Sequence, residues 1–397
     1  MSIDRARTDL FTLDPTVTHL NHGSFGAVPV AVQQVQRRWR EQAEANPMAF
    51  FTRVQADAVD DARARVAAFL RADHDGVALM TNASAAATLV LRSIEPAPGD
   101  ELLVTDHGYG AVTLAVREVA ARTGAVVREV AVPLLADDDE VVARITAGVT
   151  ARTRLAVVDH VASGTARLFP VDRLVAALHE RGVPVLVDAA HAPGMLDVDV
   201  AATGADYWFG NLHKWAFAPR PSAALVVAPE HRAGLRPLVV SWDAGSGFPL
   251  ALERGGSLDH SPWLATSAAL DLFESLGPAA VRTRNGALAR EGQRLVAAAA
   301  AERWPANGPR RDLLDAALDG SLGDDLVSMR LVPLPPGTAD DDAGAASLRL
   351  RLADAHRIEA QVVPWRGIGL VRLSAQLYNA IGDYERLAAA LLQELPG

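Results

Sequence analysis

Val185-Leu186-Val187-Asp188-Ala189-Ala190-His191 and, further on, Gly210-Asn211-Leu212-His213-Lys214-Trp215 decide how this chain folds. The first is an apolar run that stops at one acid. It reads as a buried parallel strand that carries its carboxylate to the carboxyl edge of a sheet, where open α/β folds bind ligands. The second begins right after Asp206-Tyr207-Trp208-Phe209 and brings an amine to the same kind of edge.

Working outward, further apolar runs at 76–80, 101–105, 155–159 and 223–227 join those at 184–188 and 206–209 as predicted strands. Helical patterns at 83–94, 111–123, 139–149 and 171–181 lie between them. Strands apolar throughout, each followed by a helix, predict a mainly parallel sheet covered on both faces. After about residue 255 the rhythm changes. A long helical region over 262–301 leads to a weaker βαβ-like stretch, with strands near 326–331 and 370–374. The expected domains are an N-terminal segment over 1–20 packing with the small domain, a large domain over 21–255, and a smaller C-terminal α/β domain over 256–397.

The acidic triplets at 137–139 and 340–342 precede helices, where carboxylates cap free N–H groups, so they are expected to be caps and no metal site is expected. The stretch 304–325, rich in Gly, Pro, Asp and Arg, is expected to be a surface excursion.

Composition excludes several functions. The 397 residues hold 38 Lys+Arg against 48 Asp+Glu, a formal charge of -10, and no cysteine. Lys214 is the only lysine, beside 37 arginines. A codon bias that replaces lysine with arginine spares only a lysine whose neutral amine is needed, because a guanidinium does not lose its proton. With that lysine after His213, the Walker and kinase lysine motifs are absent. No cysteine means no disulfide, thiolate metal site or thiol nucleophile. A net acidic chain without basic blocks predicts no nucleic-acid partner. The charged start, MSIDRARTDLF, lacks the apolar core of a signal peptide, and no apolar run reaches the ~18 residues of a membrane span, so a cytoplasmic protein is expected. Gly108-Tyr109-Gly110-Ala111-Val112-Thr113 begins like a dinucleotide fingerprint, but Thr113 stands where the third glycine belongs.

An acid ending one strand and the only amine shortly after the next is the arrangement pyridoxal phosphate requires. The lysine forms a Schiff base, and the acid keeps the pyridine nitrogen protonated so that the ring accepts electrons.

The chain resembles the class V aminotransferase-type, fold-type I pyridoxal-phosphate enzymes, in the branch named for isopenicillin N epimerase, which also holds cysteine C–S lyases. The resemblance runs through Leu20-Asn21-His22-Gly23-Ser24-Phe25-Gly26, Thr81-Asn82-Ala83-Ser84, Asp106-His107-Gly108-Tyr109, Asp159-His160, Asp188-Ala189-Ala190-His191-Ala192-Pro193-Gly194, His213-Lys214-Trp215, Ser261-Pro262-Trp263-Leu264 and Val371-Arg372-Leu373-Ser374.

It implies a fold-type I large domain with a mainly parallel sheet of seven-stranded type, and that Lys214 holds the cofactor and moves protons at the substrate Cα and Cβ. Asp188 pairs with the ring nitrogen and His191 with the ring hydroxyl. Asn82, Ala83 and Ser84 offer a helix N-terminus to the phosphate, with Asn211 and His213 completing the cup. Tyr109 stacks on the ring, and Ser163 stands near the ring hydroxyl and the substrate carboxylate. Arg372 takes the α-carboxylate with its planar fork, and Asn21 and His22 line the substrate mouth. Gly256-Ser257 stands where relatives have a Gly-Thr pair that reaches the neighbouring subunit's phosphate, so a homodimer with shared sites is expected. Thr165-Ala166 replaces the Thr-Gly of relatives, and the loop at 242–256 is shorter than in the epimerase.

The implied reaction is β-elimination from an S-substituted cysteine in secondary metabolism, such as a lincosamide-type pathway. The alternatives are epimerisation, decarboxylating deamination or transamination. A ligand-binding protein of the same fold without turnover is the rival of another class. The absence of cysteine speaks against a persulfide-forming desulfurase, which needs a thiol to receive sulfur.

Overall fold

In chain order the strands are β1 (Thr18–His19), β2 (Val77–Met80), β3 (Glu101–Thr105), β4 (Val126–Val130), β5 (Thr153–Asp159), β6 (Val185–Asp188), β7 (Tyr207–Asn211), β8 (Ala223–Val227), β9 (Met329–Pro333), β10 (Ile358–Glu359), β11 (Gln361–Trp365) and β12 (Ile368–Ser374). They belong to a computed structural model that describes residues 7–305 and 310–395. Residues 1–6 of the charged start and 306–309 of the expected surface excursion lie outside the described residues. The chain divides into two units: Met1–Ala27, Ala162–Leu168 and Leu276–Gly397 form the first, and Val28–Val161 with Phe169–Ser275 the second.

The second, larger unit holds a seven-stranded sheet in the order β2-β8-β7-β6-β5-β3-β4. Strands β3 to β7 run parallel, and β8 runs antiparallel to both β7 and β2. Two reversals make β2 parallel to β7, so β2, β3, β5, β6 and β7 all end at one edge. Strands β2, β3, β6 and β7 are buried along their whole length, as their unbroken apolar runs require. The helix Val171–His179 covers the sheet with Val171, Leu174, Val175 and Leu178, the spacing of one helical face. The helix Ala83–Ser93 does the same with Ala86, Ala87, Leu89, Val90 and Leu91.

Strand β4 has no counterpart among the predicted strands. As an edge strand it is largely exposed and carries Arg128 and Glu129, so its Val-Val-Arg-Glu-Val has no apolar continuity to read.

The first unit departs from the βαβ-like expectation. Its main sheet is antiparallel, in the order β11-β12-β9. Trp365 pairs with Ile368 across Arg366 and Gly367, which both take positive φ, 50° and 68°. That is the tight hairpin turn whose twist matches the strands it joins. A short parallel pair, β1 with β10, ties the start of the chain to its end. The helix Pro278–Glu302 lies against this sheet, where Gln293 donates to the carbonyls of Leu322 and Leu331, both at 2.7 Å.

Candidate active site

Five strand ends deliver chemistry to the one edge of the larger unit. After β2 come Asn82, Ala83 and Ser84; after β3 comes Tyr109; β5 ends in Asp159; β6 ends in Asp188 and leads to His191; β7 ends in Asn211 and leads to His213 and Lys214.

Lys214 is buried, with Nζ 3.1 Å from His191 Nε2. On the other side of that ring, the Trp215 indole N–H donates to Nδ1 at 3.3 Å. An indole only donates, so Nδ1 is the acceptor in that contact. Gly194 makes this approach possible. Its φ is +87°, and a Cβ there would lie 2.5 Å from the Trp215 backbone carbonyl. The glycine of the Asp-Ala-Ala-His-Ala-Pro-Gly run is thus what lets the lysine loop lie against the histidine loop.

Asp188 is buried, and its Oδ1 accepts from the Ala190 N–H at 3.0 Å. Burial pushes its carboxyl up to about 6, against the opposing effects of that N–H and of Lys214. His213 is held down at about 4 by burial, and its Nδ1 lies 2.7 Å from the Ser222 carbonyl. Ser222 in turn reaches Thr266 Oγ1 at 2.9 Å. The Ser222 N–H also lies 3.2 Å from Nδ1, so both backbone groups of Ser222 meet that side of the ring.

The helix start is more fully used than the sequence suggests. Asn211 Oδ1 accepts from the Ala83 N–H at 2.9 Å, and Asn82 Oδ1 caps the helix through the Ala85 N–H at 2.9 Å. The Ser84 N–H and hydroxyl stay open among the described residues, at the positive end of the helix dipole. Tyr109 is 43% exposed, so its ring is available to a ligand and takes no part in the core. Ser257 is exposed in the loop after the helix Leu250–Glu253, and among the described residues no hydrogen bond joins it to the lysine cluster.

In the first unit, Arg372 rises from β12 and is buried. Its Nη1 donates to the Ser163 carbonyl at 2.5 Å and to Ser163 Oγ at 3.3 Å, while Nη2 donates to Asn21 Oδ1 at 2.9 Å and to Ser24 Oγ at 3.2 Å. The structure thus brings Arg372, Ser163 and Asn21 together. His22 turns into the packing instead: its Nδ1 contacts the Tyr378 hydroxyl at 3.0 Å and its Nε2 the Gln376 amide at 3.3 Å. Ala166 takes φ 50°, the left-handed region that favours glycine.

Sequence reasoning gave no role to Asp159, Trp215 or Ser222. Asp159 carried the same signal as Asp188, an acid closing an apolar strand, and sits in register with it. Ser222 carried none, since its role comes from the return of β8.

A buried amine, a buried carboxylate and an open helix N-terminus on one sheet edge form the donor set that pyridoxal phosphate takes: an amine for its aldehyde, an acid for its ring nitrogen and N–H groups for its phosphate.

Comparison with known proteins agrees. Residues 27–314 match the aminotransferase class-V family. The isopenicillin N epimerase of Streptomyces clavuligerus is 36% identical, over 96% of this chain and 95% of that one. A probable chloroplastic L-cysteine desulfhydrase of Arabidopsis thaliana is 31% identical, over 95% and 83%. Among solved structures, the cystine C–S lyase C-DES in complex with its reaction product cysteine persulfide superposes with a TM-score of 0.78 at 19% identity, covering 95% of this chain and 98% of that one. A cysteine desulfurase of Escherichia coli gives 0.75 at 20%, covering 98% of each. The chain has the fold-type I architecture and belongs to the aminotransferase class-V family of pyridoxal-phosphate-dependent enzymes.

Proposed function

We propose that this enzyme is a C–S lyase that performs β-elimination on an S-substituted cysteine. When bound, pyridoxal phosphate draws electrons from the substrate and makes its Cα proton acidic. Lys214 holds the cofactor. Asp188 faces its ring nitrogen, His191 presents Nε2 to its ring hydroxyl, and Tyr109 covers the ring. Asn82, Ala83, Ser84, Asn211 and His213 build the phosphate seat, in which the Ser84 N–H is the donor and Asn211 holds the Ala83 backbone in place. Ser257 serves the partner's phosphate in a homodimer. Arg372 takes the α-carboxylate with Ser163 and Asn21 orienting its fork, and His22 supports that segment from the packing side.

One observation favours elimination: the cluster has a single amine to move protons at carbon. His191 is fixed by the Trp215 indole and His213 by Ser222, which leaves Lys214 Nζ. Elimination needs one base. Lys214 takes the Cα proton, the Cβ–S bond breaks with its electrons leaving on sulfur, and the same nitrogen returns the proton to the thiolate. Hydrolysis of the product yields a keto acid and ammonia. The cysteine desulfhydrase relatives are consistent with this class.

The epimerase relatives favour a second reading, in which proton removal and return occur on opposite faces. That needs a second acid, and the exposed Tyr109 hydroxyl is the group at this edge to supply it. Incubation with S-substituted cysteines separates the two. Elimination gives pyruvate, ammonia and free thiol, and Tyr109→Phe keeps turnover. Epimerisation gives inverted amino acid carrying solvent deuterium at Cα, and Tyr109→Phe abolishes it. We place the protein in the cytoplasm, in secondary metabolism of cysteine conjugates. Among the described residues no helix is long and apolar enough to cross a membrane.

A further inference from the structure

Asp159 ends β5 and Asp188 ends β6, and the two are direct partners across the parallel ladder. Side chains of in-register residues on neighbouring parallel strands leave the same face, with backbones about 4.8 Å apart. Both residues are buried, at 3% and 5% exposure. Two carboxyl groups so placed do not both ionise at neutral pH, because each charge raises the cost of the other where water does not reach. The ionisable groups at this edge are Asp106 and His107 after β3, His160 after β5, His191 after β6, and His213 and Lys214 after β7. Of these, Lys214 lowers the Asp188 carboxyl, less than burial raises it.

We infer that Asp159 holds the proton of a buried carboxyl pair and donates it as a hydrogen bond to the Asp188 carboxylate, as a positioning residue for the acid that meets the cofactor's ring nitrogen. Burial and then the Asp188 charge push the Asp159 carboxyl well above its usual range, while Asp188 reaches about 6 and ionises first. The protonated partner leaves one net negative charge on the pair and fixes the direction in which the Asp188 oxygens point. The role of Asp188 rests on the function proposed above; the shared proton does not.

The test is the infrared spectrum of the cofactor-free protein labelled with ¹³C at the aspartate carboxyl groups, taken at about pH 8, where ordinary aspartates are ionised. The wild type should show the C=O stretch of one protonated aspartic acid. Asp159→Asn should remove it, and Asp188→Asn should shift its loss to lower pH. A wild-type spectrum without that band, or a band that survives in Asp159→Asn, overturns the inference. In a second arm, Asp159→Asn keeps a neutral donor and should bind pyridoxal phosphate within about threefold of wild type, whereas Asp159→Leu, without a donor, should bind about tenfold more weakly. Equal affinity of the two variants also overturns it. Failure of the wild type to bind the cofactor would instead sink the proposed function and leave the infrared result standing.

Discussion

Gly194→Ala tests whether the lysine loop is held where it is by the absence of one methyl group. The new Cβ would lie 2.5 Å from the Trp215 carbonyl carbon and oxygen and 2.7 Å from the Ala216 nitrogen. Ordinary contact begins near 3.4 Å, so the Trp215 peptide must retreat by roughly 0.9 Å. Alanine at φ +87° costs about 1–2 kcal/mol. Overpacking against backbone adds about 1–3 kcal/mol. The unfolding free energy should therefore fall by about 2–5 kcal/mol. Lys214 precedes Trp215, and a misplacement of about 1 Å costs on the order of a hundredfold in rate. Gly182→Ala is the control: its φ is +70° and nothing lies within 4 Å of the added Cβ, so only the backbone cost of about 1–2 kcal/mol applies. Urea unfolding of the three cofactor-free proteins gives the stabilities, and a spectral titration with pyridoxal phosphate gives the affinities. If Gly194→Ala loses no more stability than Gly182→Ala and binds cofactor as wild type does, then the close approach is not what positions Lys214.

Three other substitutions probe different parts of the molecule. Glu253 is buried, accepts from the Leu79 N–H at 2.8 Å and pairs with Arg63 at 3.4 Å; burial pushes its carboxyl up to about 7. Its folded pKa lies above the unfolded value of 4.5, so its contribution to stability is full below about 4.5 and is lost as pH rises to about 7. Glu253→Gln keeps the acceptor and should remove about 3 kcal/mol of that pH-dependent loss, seen as a flatter stability profile than wild type. Arg372→Lys replaces a planar fork with a point charge and should raise KM for the amino acid at least about tenfold, measured by steady-state kinetics. Ala166→Gly should change unfolding free energy by less than about 1 kcal/mol. The relief of a left-handed alanine is offset by a lost buried methyl and by the freer unfolded chain.

The parallel sheet was legible because its central strands are buried on both faces, which forces unbroken apolar runs such as Val185-Leu186-Val187. Edge strand β4 and the β11–β12 hairpin were not. The first is solvated, and the second turns on Arg366-Gly367 rather than the asparagine–glycine pair that marks such turns. Lys214, Asp188 and His191 stood out because their residue types carry the chemistry. What the sequence could not carry was the way they are held: Trp215 on His191, Ser222 on His213, and Asn211 on the Ala83 N–H join residues whose proximity exists only once the strands are laid side by side. Asp159 had a readable signal but no meaning until its register with Asp188 was known.

The most direct measurement is chemical. The protein is loaded with pyridoxal phosphate, reduced with borohydride and digested, and the peptides are weighed by mass spectrometry. Lys214 is the only side-chain amine in the chain. The cofactor mass should appear on the peptide holding His213, Lys214 and Trp215, and Lys214→Arg should lose both this adduct and turnover while keeping its fold. An adduct confined to the N-terminal amine, or none at all in a correctly folded protein, would contradict the assignment of Lys214 as the residue that holds the cofactor.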